Sequence, residues 1–231
     1  ILTVVSGASA TIRLDDSAPM TAFVANSDTT NDGTAAIEIS NGSNVVSVDL
    51  SQAGGSRGFE VSAGGLTTAI TITGSAQSDS INGGSGADVL NGGEGNDSLD
   101  GGDGVDTYTG GDGADQFQFF LAATDLDTGA GVATVTDVVL DFNSVQGDRV
   151  QGLYGAATAT NYQEAAASVA DLATLLAAAD TALNGTVRYY LGEVTGGPSY
   201  LVTDQDGTGV TQVIQLDNVT LATFQQSDIV A

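Results

Sequence analysis

Aspartate recurs at every ninth position in one part of the chain. The positions are Asp79, Asp88, Asp97, Asp106 and Asp115. Each aspartate closes a Gly-rich run of six residues, and the last four runs fit GGxGxDxUx at every fixed position, where U is a large apolar residue. Glycine tolerates the positive-φ turns that direct several carbonyl oxygens into one space. Carboxylate and carbonyl oxygens are the ligands of hard cations, so the pattern indicates calcium binding.

The glycines of the four full repeats belong to the same predicted metal sites. They are Gly83, Gly84, Gly86, Gly92, Gly93, Gly95, Gly101, Gly102, Gly104, Gly110, Gly111 and Gly113. The first repeat starts at Gly74 and keeps Asp79, but Ser75 and Gln77 stand where glycine is expected. The four full matches favour ligation over the alternative, in which the aspartates are solubilising turn residues. The departures in the first repeat place its own site in doubt.

Each repeat divides into a turn, GGxGxD, and a short strand, xUx. Two repeats therefore make one coil, and successive coils stack at about 4.8 Å, the usual spacing of strands. The apolar residue of each strand points inward, and these residues are Ile81, Leu90, Leu99, Tyr108 and Phe117. Turns two repeats apart become neighbours, so the aspartate pairs 79/97, 88/106 and 97/115 each enclose a gap. We expect about three calcium ions in these gaps.

The apolar content of the repeats predicts that the metal is required for folding. One inward apolar side chain per repeat contributes about 2–3 kcal/mol, whereas fixing each backbone residue costs about 1–2 kcal/mol. Hydrogen bonds add too little net free energy to close that gap. We therefore expect calcium binding to be part of folding and the calcium-free repeats to be disordered.

The composition excludes several functions. The 231 residues contain four Arg (13, 57, 149 and 188), no Lys, no His and no Cys, with 24 Asp and 5 Glu giving a net charge of −25. Without His, Cys or Lys there is no zinc site of the usual kinds, no Ser-His-Asp triad and no Walker A loop. Four Arg cannot neutralise a phosphate backbone, which excludes nucleic acid as a partner. No apolar run is long enough to span a membrane.

The regions on either side of the repeats predict an all-β solenoid with a cap. Residues 1–73 hold short runs rich in Thr, Val and Ile, typical of irregular coils of a parallel β-helix or of a small sandwich. Residues 74–118 are the roll. In the capping region, 119–231, we predict a helix over 161–184, with Asn161 and Glu164 as a capping box and Gly185 after its end. Two strands around DQDGTG, Tyr200–Thr203 and Val210–Leu216, predict a β-hairpin.

These motifs resemble those of the RTX (repeats-in-toxin) family. VLDFNSVQGDRV is similar to the DF-x-x-G-x-D-x-U segment that follows RTX repeats, and YLVTDQDGTGVTQVIQLDNVTL resembles the strand pair near RTX C-termini. The coils leading into the repeats, and the Ala, Thr, Gly and Asp content, resemble RTX-type bacterial surface-layer (S-layer) proteins. The resemblance implies an all-β, right-handed parallel β-helix/β-roll solenoid with a C-terminal helix and hairpin cap.

The resemblance also implies a function. Such proteins leave the cell by type I secretion through an uncleaved C-terminal signal, bind calcium outside the cell and assemble into lattices. The expected partners are further copies of the chain, the type I secretion machinery and cell-surface polysaccharide. The expectation is a non-catalytic structural protein, of which this chain is the C-terminal part. The alternative is an RTX accessory module of a secreted polysaccharide-active enzyme or adhesin.

For several other acidic and aromatic residues, the sequence leaves two interpretations open. Asp28, Asn31 and Asp32, Asp125 and Asp127, and the pair Asp204 and Asp206 could each close around calcium or could be ordinary turn residues. Asp141 and Asp148 could complete the last coil of the roll. Four aromatic residues could form a platform for a sugar or could pack in a core; they are Tyr189, Tyr190, Tyr200 and Phe224.

Overall fold

The structure is a computed structural model that describes residues 3–15, 20–119, 137–151, 156–183, 186–204 and 210–231. The chain divides into two compact units, Ile1–Gln118 and Phe119–Ala231. No helix among the described residues is long and apolar enough to cross a membrane.

Unit 1 is a stack of parallel strands. Its strands are β1 Thr3–Val4, β2 Ser9–Leu14, β3 Ala22–Val24, β4 Thr30–Asn31, β5 Thr34–Ile39, β6 Ser47–Asp49, β7 Gly54–Gly55, β8 Phe59–Ser62, β9 Thr71–Thr73, β10 Ser80–Gly84, β11 Val89–Glu94, β12 Ser98–Gly102, β13 Thr107–Asp112 and β14 Gln116–Gln118. Within this unit they form three sheets, ordered β1-β4-β7, β2-β5-β8-β10-β12-β14 and β3-β6-β9-β11-β13. Every pairing recorded between these strands is parallel, which confirms the predicted all-β solenoid.

The coils shorten along the chain. Ile37 lies in register with Val61, and Val61 lies in register with Ile81, which follows it at a shorter interval. From Ile81 the register advances to Leu99 and then to Phe117, by two equal intervals that are shorter again. The third sheet, β1-β4-β7, occurs only in the long coils, so three-sided coils give way to two-sided ones. The described part of residues 1–73, for which the sequence left coils and a sandwich open, forms coils of the same solenoid.

The inward residues and the glycines explain the short coils. All five predicted inward side chains are buried. The second glycine of each full repeat has a positive φ, as at Gly102 (φ 89°), where a methyl carbon would lie 1.9 Å from the carbonyl oxygen of Gly84. Only glycine combines this conformation with so close an approach to the turn below.

The described part of unit 2 combines a mixed sheet with a helix. Its elements are β15 Asp137–Val139, β16 Arg149–Gln151, β17 Tyr162–Glu164, α1 Leu172–Ala182, β18 Tyr189–Glu193, β19 Ser199–Thr203, β20 Gln212–Leu216, a 3₁₀ turn Gln226–Asp228 and β21 Ile229–Val230. Five strands form a sheet in the order β17-β18-β19-β20-β15, and β16 pairs with β21. β19 and β20 are antiparallel, as the sequence predicted, and residues 205–209 of their connection lie outside the described residues.

The predicted helix over 161–184 is wrong at its start. The helix begins at Leu172, and its N-cap is Asp171, whose side chain accepts a hydrogen bond from Thr174 N at 2.8 Å. Asn161 instead closes a turn, with its Oδ1 accepting from Thr158 N. Residues 162–164 then pair with β18, a contact distant in sequence that outweighs the local capping signal. The helix ends at Ala182, while the predicted cap Gly185 lies outside the described residues.

Candidate metal centre

The five repeat aspartates line two edges of the roll. Turns 74–79, 92–97 and 110–115 stack on what we call the first edge, and turns 83–88 and 101–106 stack on the second edge. All five carboxylates are buried, at most 3% exposed. Ionised side chains are rarely buried without compensation, so each edge concentrates groups that require a partner.

Hydrogen bonds tie each of the last three aspartates to the one two repeats earlier. Asp97 Oδ1 accepts from Asp79 N at 2.7 Å, and Asp115 Oδ1 accepts from Asp97 N at 2.9 Å. On the second edge, Asp106 Oδ1 accepts from Asp88 N at 2.7 Å. The pairs 79/97, 97/115 and 88/106 are therefore neighbours, as the spacing of the repeats predicts.

The second carboxylate oxygen has a different environment. Among the described residues, Asp88 Oδ2 and Asp97 Oδ2 are buried and have no hydrogen-bond partner. A methyl carbon on Gly92 would lie 2.2 Å from Asp97 Oδ2 and 2.6 Å from the carbonyl oxygen of Gly110. The two oxygens thus face the same space, which the absence of a side chain on Gly92 leaves open. Gly83 is placed in the same way between Asp88 Oδ2, at 2.4 Å, and the carbonyl of Gly101, at 2.9 Å.

Burial makes these carboxylates costly to ionise. Desolvation raises the pKa of Asp97 to about 7, an effect opposed by the hydrogen bond from Asp79 N and increased by the charges of Asp79 and Asp115. Desolvation also raises the pKa of Asp88. A cation between the turns would replace the lost solvation and offset the like-charge repulsion, which is the condition for these groups to stay ionised.

In the first repeat, hydrogen bonds to the carboxylate of Asp79 take the place that a cation would have. Asp79 Oδ2 accepts hydrogen bonds from Ser75 N at 2.6 Å and from Ser75 Oγ at 3.0 Å, and its Oδ1 accepts from Phe59 N at 2.5 Å. Burial still raises the pKa of Asp79, against the effect of these bonds. Ser75, which stands where the motif has glycine, therefore supplies donors to the carboxylate oxygen that corresponds to the unpartnered Oδ2 of Asp88 and Asp97.

The donor set fits calcium. Among the described residues no three acidic side chains converge on one point, so backbone carbonyls must supply most ligands of any bound ion. Calcium accepts six to eight oxygen ligands in irregular geometry, including carbonyls. Asp88 and Asp106, and Asp97 and Asp115, with the glycine carbonyls of their turns, are the residues that would hold it. The ion would supply charge neutralisation and cross-linking of coils.

The other candidate calcium groups form ordinary local structure where they are described. Asp32 Oδ1 accepts from the backbone and hydroxyl of Ser56, and Asn31 Oδ1 accepts from Gly33 N. Asp204 is buried, and Arg188 Nη1 lies 3.9 Å from its Oδ1. Asp148 Oδ2 accepts from Asn143 N within unit 2. Asp125, Asp127 and Asp206 lie outside the described residues.

The aromatic residues pack in the interior of unit 2. Tyr189, Tyr190, Tyr200 and Phe224 are each at most 7% exposed. The packing alternative accounts for them, because a sugar platform requires exposed rings. One aromatic role was missed: the hydroxyl of Tyr108 accepts a hydrogen bond from Gly101 N at 3.0 Å. A hydroxyl group on one of five inward side chains that are otherwise purely apolar was the available signal for a polar contact.

Comparison with known protein families identifies the repeats. The RTX calcium-binding nonapeptide repeat (4 copies) matches residues 71–99 and 83–117. The solution structure of the AlgE6R3 subunit from the Azotobacter vinelandii mannuronan C5-epimerase is similar, with 30% identity, a TM-score of 0.49 and coverage of 71% of this chain and 78% of that one. No curated protein matches. The chain thus carries an RTX β-roll that binds Ca²⁺, and by these repeats it belongs to the RTX family.

Proposed function

We propose that this chain is the calcium-folded, non-catalytic part of a type I-secreted surface protein that assembles into a lattice or filament. The observation that supports it most is the stack of buried carboxylates, in which Asp88 Oδ2 and Asp97 Oδ2 have no hydrogen-bond partner among the described residues. Without a cation, desolvation and like charge oppose folding of the roll. With calcium, the same groups hold the coils together.

Calcium dependence of this kind suits export. Extracellular calcium-binding modules typically bind at about 10⁻⁴–10⁻³ M, far above the free calcium inside a cell. The chain would therefore stay unfolded inside the cell, pass the secretion machinery as an extended polypeptide and fold on release. Cell-surface polysaccharide is the proposed anchor of the assembled protein.

Assembly has to overcome the acidic charge. Even three bound ions, one in each gap, would reduce the net charge of −25 only to about −19, so copies would still repel. Further calcium bridging carboxylates of different copies would remove that barrier. Self-association should therefore need more calcium than folding needs.

A calcium titration tests both steps. Circular dichroism should show loss of β-structure in EGTA and recovery near millimolar calcium, and light scattering should rise at higher calcium. Magnesium should support either step poorly, because it resists irregular, carbonyl-rich sites. A β-signal that EGTA leaves unchanged would overturn calcium-dependent folding. If the chain folds with calcium but stays monomeric at high protein and calcium concentration, the alternative of an accessory module in a polysaccharide-active protein replaces assembly.

A further inference from the structure

Arg57 differs from the other three arginines. Arg13 pairs with Glu38 at 2.9 Å, Arg149 with Asp228 at 3.2 Å and Arg188 with Asp204 at 3.9 Å. Among the described residues, the guanidinium of Arg57 has no ion pair. In a chain with 29 acidic residues, an arginine left without an acidic partner is a cation available to another molecule.

Arg57 lies in a notch of unit 1. The notch has a volume of about 480 Å³, and its polar lining includes Ser56, Arg57, Glu60, Gln77, Ser78 and Asn96. It lies where the long coil from Ile37 to Val61 gives way to the shorter coil from Val61 to Ile81, so residues of the longer coils stand beside the first short one. The notch is therefore a product of the change in coil size.

Two acidic residues lie on the first edge, further along the stack of coils than the notch. Glu94 and Asp112 are exposed and lie in register on neighbouring strands, β11 and β13. Neither has an ion pair among the described residues. Like charges directly opposite on neighbouring strands are destabilising, so this pair would be stabilised by a cation from outside the chain.

The strand spacing gives the distance between Arg57 and the two acidic residues along the edge. Arg57 precedes β8, whereas the turns of Glu94 and Asp112 precede β12 and β14. Neighbouring strands are about 4.8 Å apart, which places the two acids about 10 and 14 Å along the stack from Arg57. This stretch of the edge thus has a cation at one end and a pair of anions at the other. Such an edge is self-complementary when a second copy lies against it in the opposite direction.

We propose that two copies of this chain associate edge to edge around a two-fold axis, with Arg57 of each copy against Glu94 and Asp112 of the other. The inference rests on the proposed self-association and identifies one contact within it. The two-fold axis makes every ion pair twice, and the guanidinium can bind two carboxylates at once. The pairs are exposed, so the contact should be weak and sensitive to salt.

Charge reversal tests the contact. The 231-residue chain is held at saturating calcium, folding is verified by circular dichroism, and self-association is measured by analytical ultracentrifugation. Arg57→Glu should weaken association about tenfold or more, because it replaces attraction by repulsion at both copies of the pair. Arg13→Glu is the matched control, since it changes the net charge equally on an exposed arginine of β2. Glu60→Gln, which removes the exposed acid of the notch and leaves the buried Asp79 in place, should strengthen association.

A mixture of two complementary variants tests the edge contact directly. Arg57→Glu alone and the Glu94→Arg/Asp112→Arg double variant alone should each associate poorly, whereas an equimolar mixture should associate at least as well as the wild type. Association of Arg57→Glu equal to that of the wild type, or a mixture no better than its components, would overturn the edge contact while leaving self-association intact. A wild-type chain that is folded and monomeric would overturn the proposed assembly itself.

Discussion

Asp97 contributes to two gaps of the first edge. Its Oδ1 accepts from Asp79 N, while its Oδ2 lies beside the carbonyl of Gly110, in the next turn. No other aspartate of this edge has a repeat aspartate in the neighbouring turns on both sides. Asp97 is thus the position at which the loss of one charge affects most of the stack.

We expect Asp97→Asn to raise the calcium concentration needed for folding severalfold, measured by circular dichroism during a calcium titration. The substitution keeps the Oδ1 acceptor and the shape of the side chain, so the change isolates the lost charge. Asp112→Asn removes an exposed charge in the neighbouring turn and is the control. Equal effects of the two substitutions would show that the carboxylate at the sixth position of the repeat is not a ligand.

Calcium binding should weaken as the pH falls. Burial would raise the pKa of Asp97 to about 7 only in a roll that is folded without calcium. In the disordered calcium-free chain the aspartates have their ordinary pKa of about 4, and calcium binds the ionised carboxylates, so calcium-coupled folding releases protons only near that pH. The calcium concentration at half-folding should therefore be constant from pH 8 to pH 6 and increase below about pH 5. An increase that already begins between pH 8 and pH 6 would show that the calcium-free roll stays folded with its carboxylates buried.

At the scale of the turn, Ser75 distinguishes the first repeat from the rest. Its backbone and hydroxyl donate to Asp79 Oδ2, whereas the corresponding oxygens of Asp88 and Asp97 have no hydrogen-bond partner among the described residues. Restoring the motif with Ser75→Gly and Gln77→Gly removes the hydroxyl donor and permits the positive φ of the other turns.

We expect this double variant to bind one more calcium ion than the wild type, measured by isothermal titration calorimetry. In calcium-free buffer the variant should be less stable than the wild type, because Asp79 loses a hydrogen bond that does not depend on calcium. An unchanged number of bound ions would mean that the 79/97 gap is already a calcium site in the wild type.

The sequence predicted the roll better than the elements around it. The strict period of the repeats determines both the register of the strands and the stacking of the turns, so Asp88 and Asp106 could be paired from spacing alone. The start of α1 could not be predicted, because Tyr162–Glu164 forms a strand only by pairing with β18, which lies distant in sequence. The notch at Arg57 depends on a change in coil length that no local motif encodes.

At the scale of the whole solenoid, the coils differ in how much apolar surface they bury. The long coil that includes β6 and β8 buries Val48, Leu50, Phe59, Val61 and Leu66. A coil made of two repeats buries only two large apolar side chains, such as Leu90 and Leu99. The long coils thus have a hydrophobic interior that does not require an ion.

Hydrogen exchange in EGTA should separate the two kinds of coil. Backbone amides of β5, β6 and β8 should keep their protection, whereas amides of β12, β13 and β14 should exchange rapidly and regain protection with calcium. Mass spectrometry of peptic fragments would resolve these segments. Uniform loss of protection across unit 1 would show that the long coils also depend on the metal.

The bonding of Ser75 to Asp79 has a consequence for the order in which the roll forms. Because the turn at 74–79 completes itself, β10 offers an ordered strand edge before any ion has bound. Each later coil can then close on the one before it, and each ion entering a gap fixes the backbone groups that the next coil needs. Folding of this kind behaves as a one-dimensional chain with nearest-neighbour coupling. Calcium ions would therefore bind in order along the stack, from the long coils towards β14.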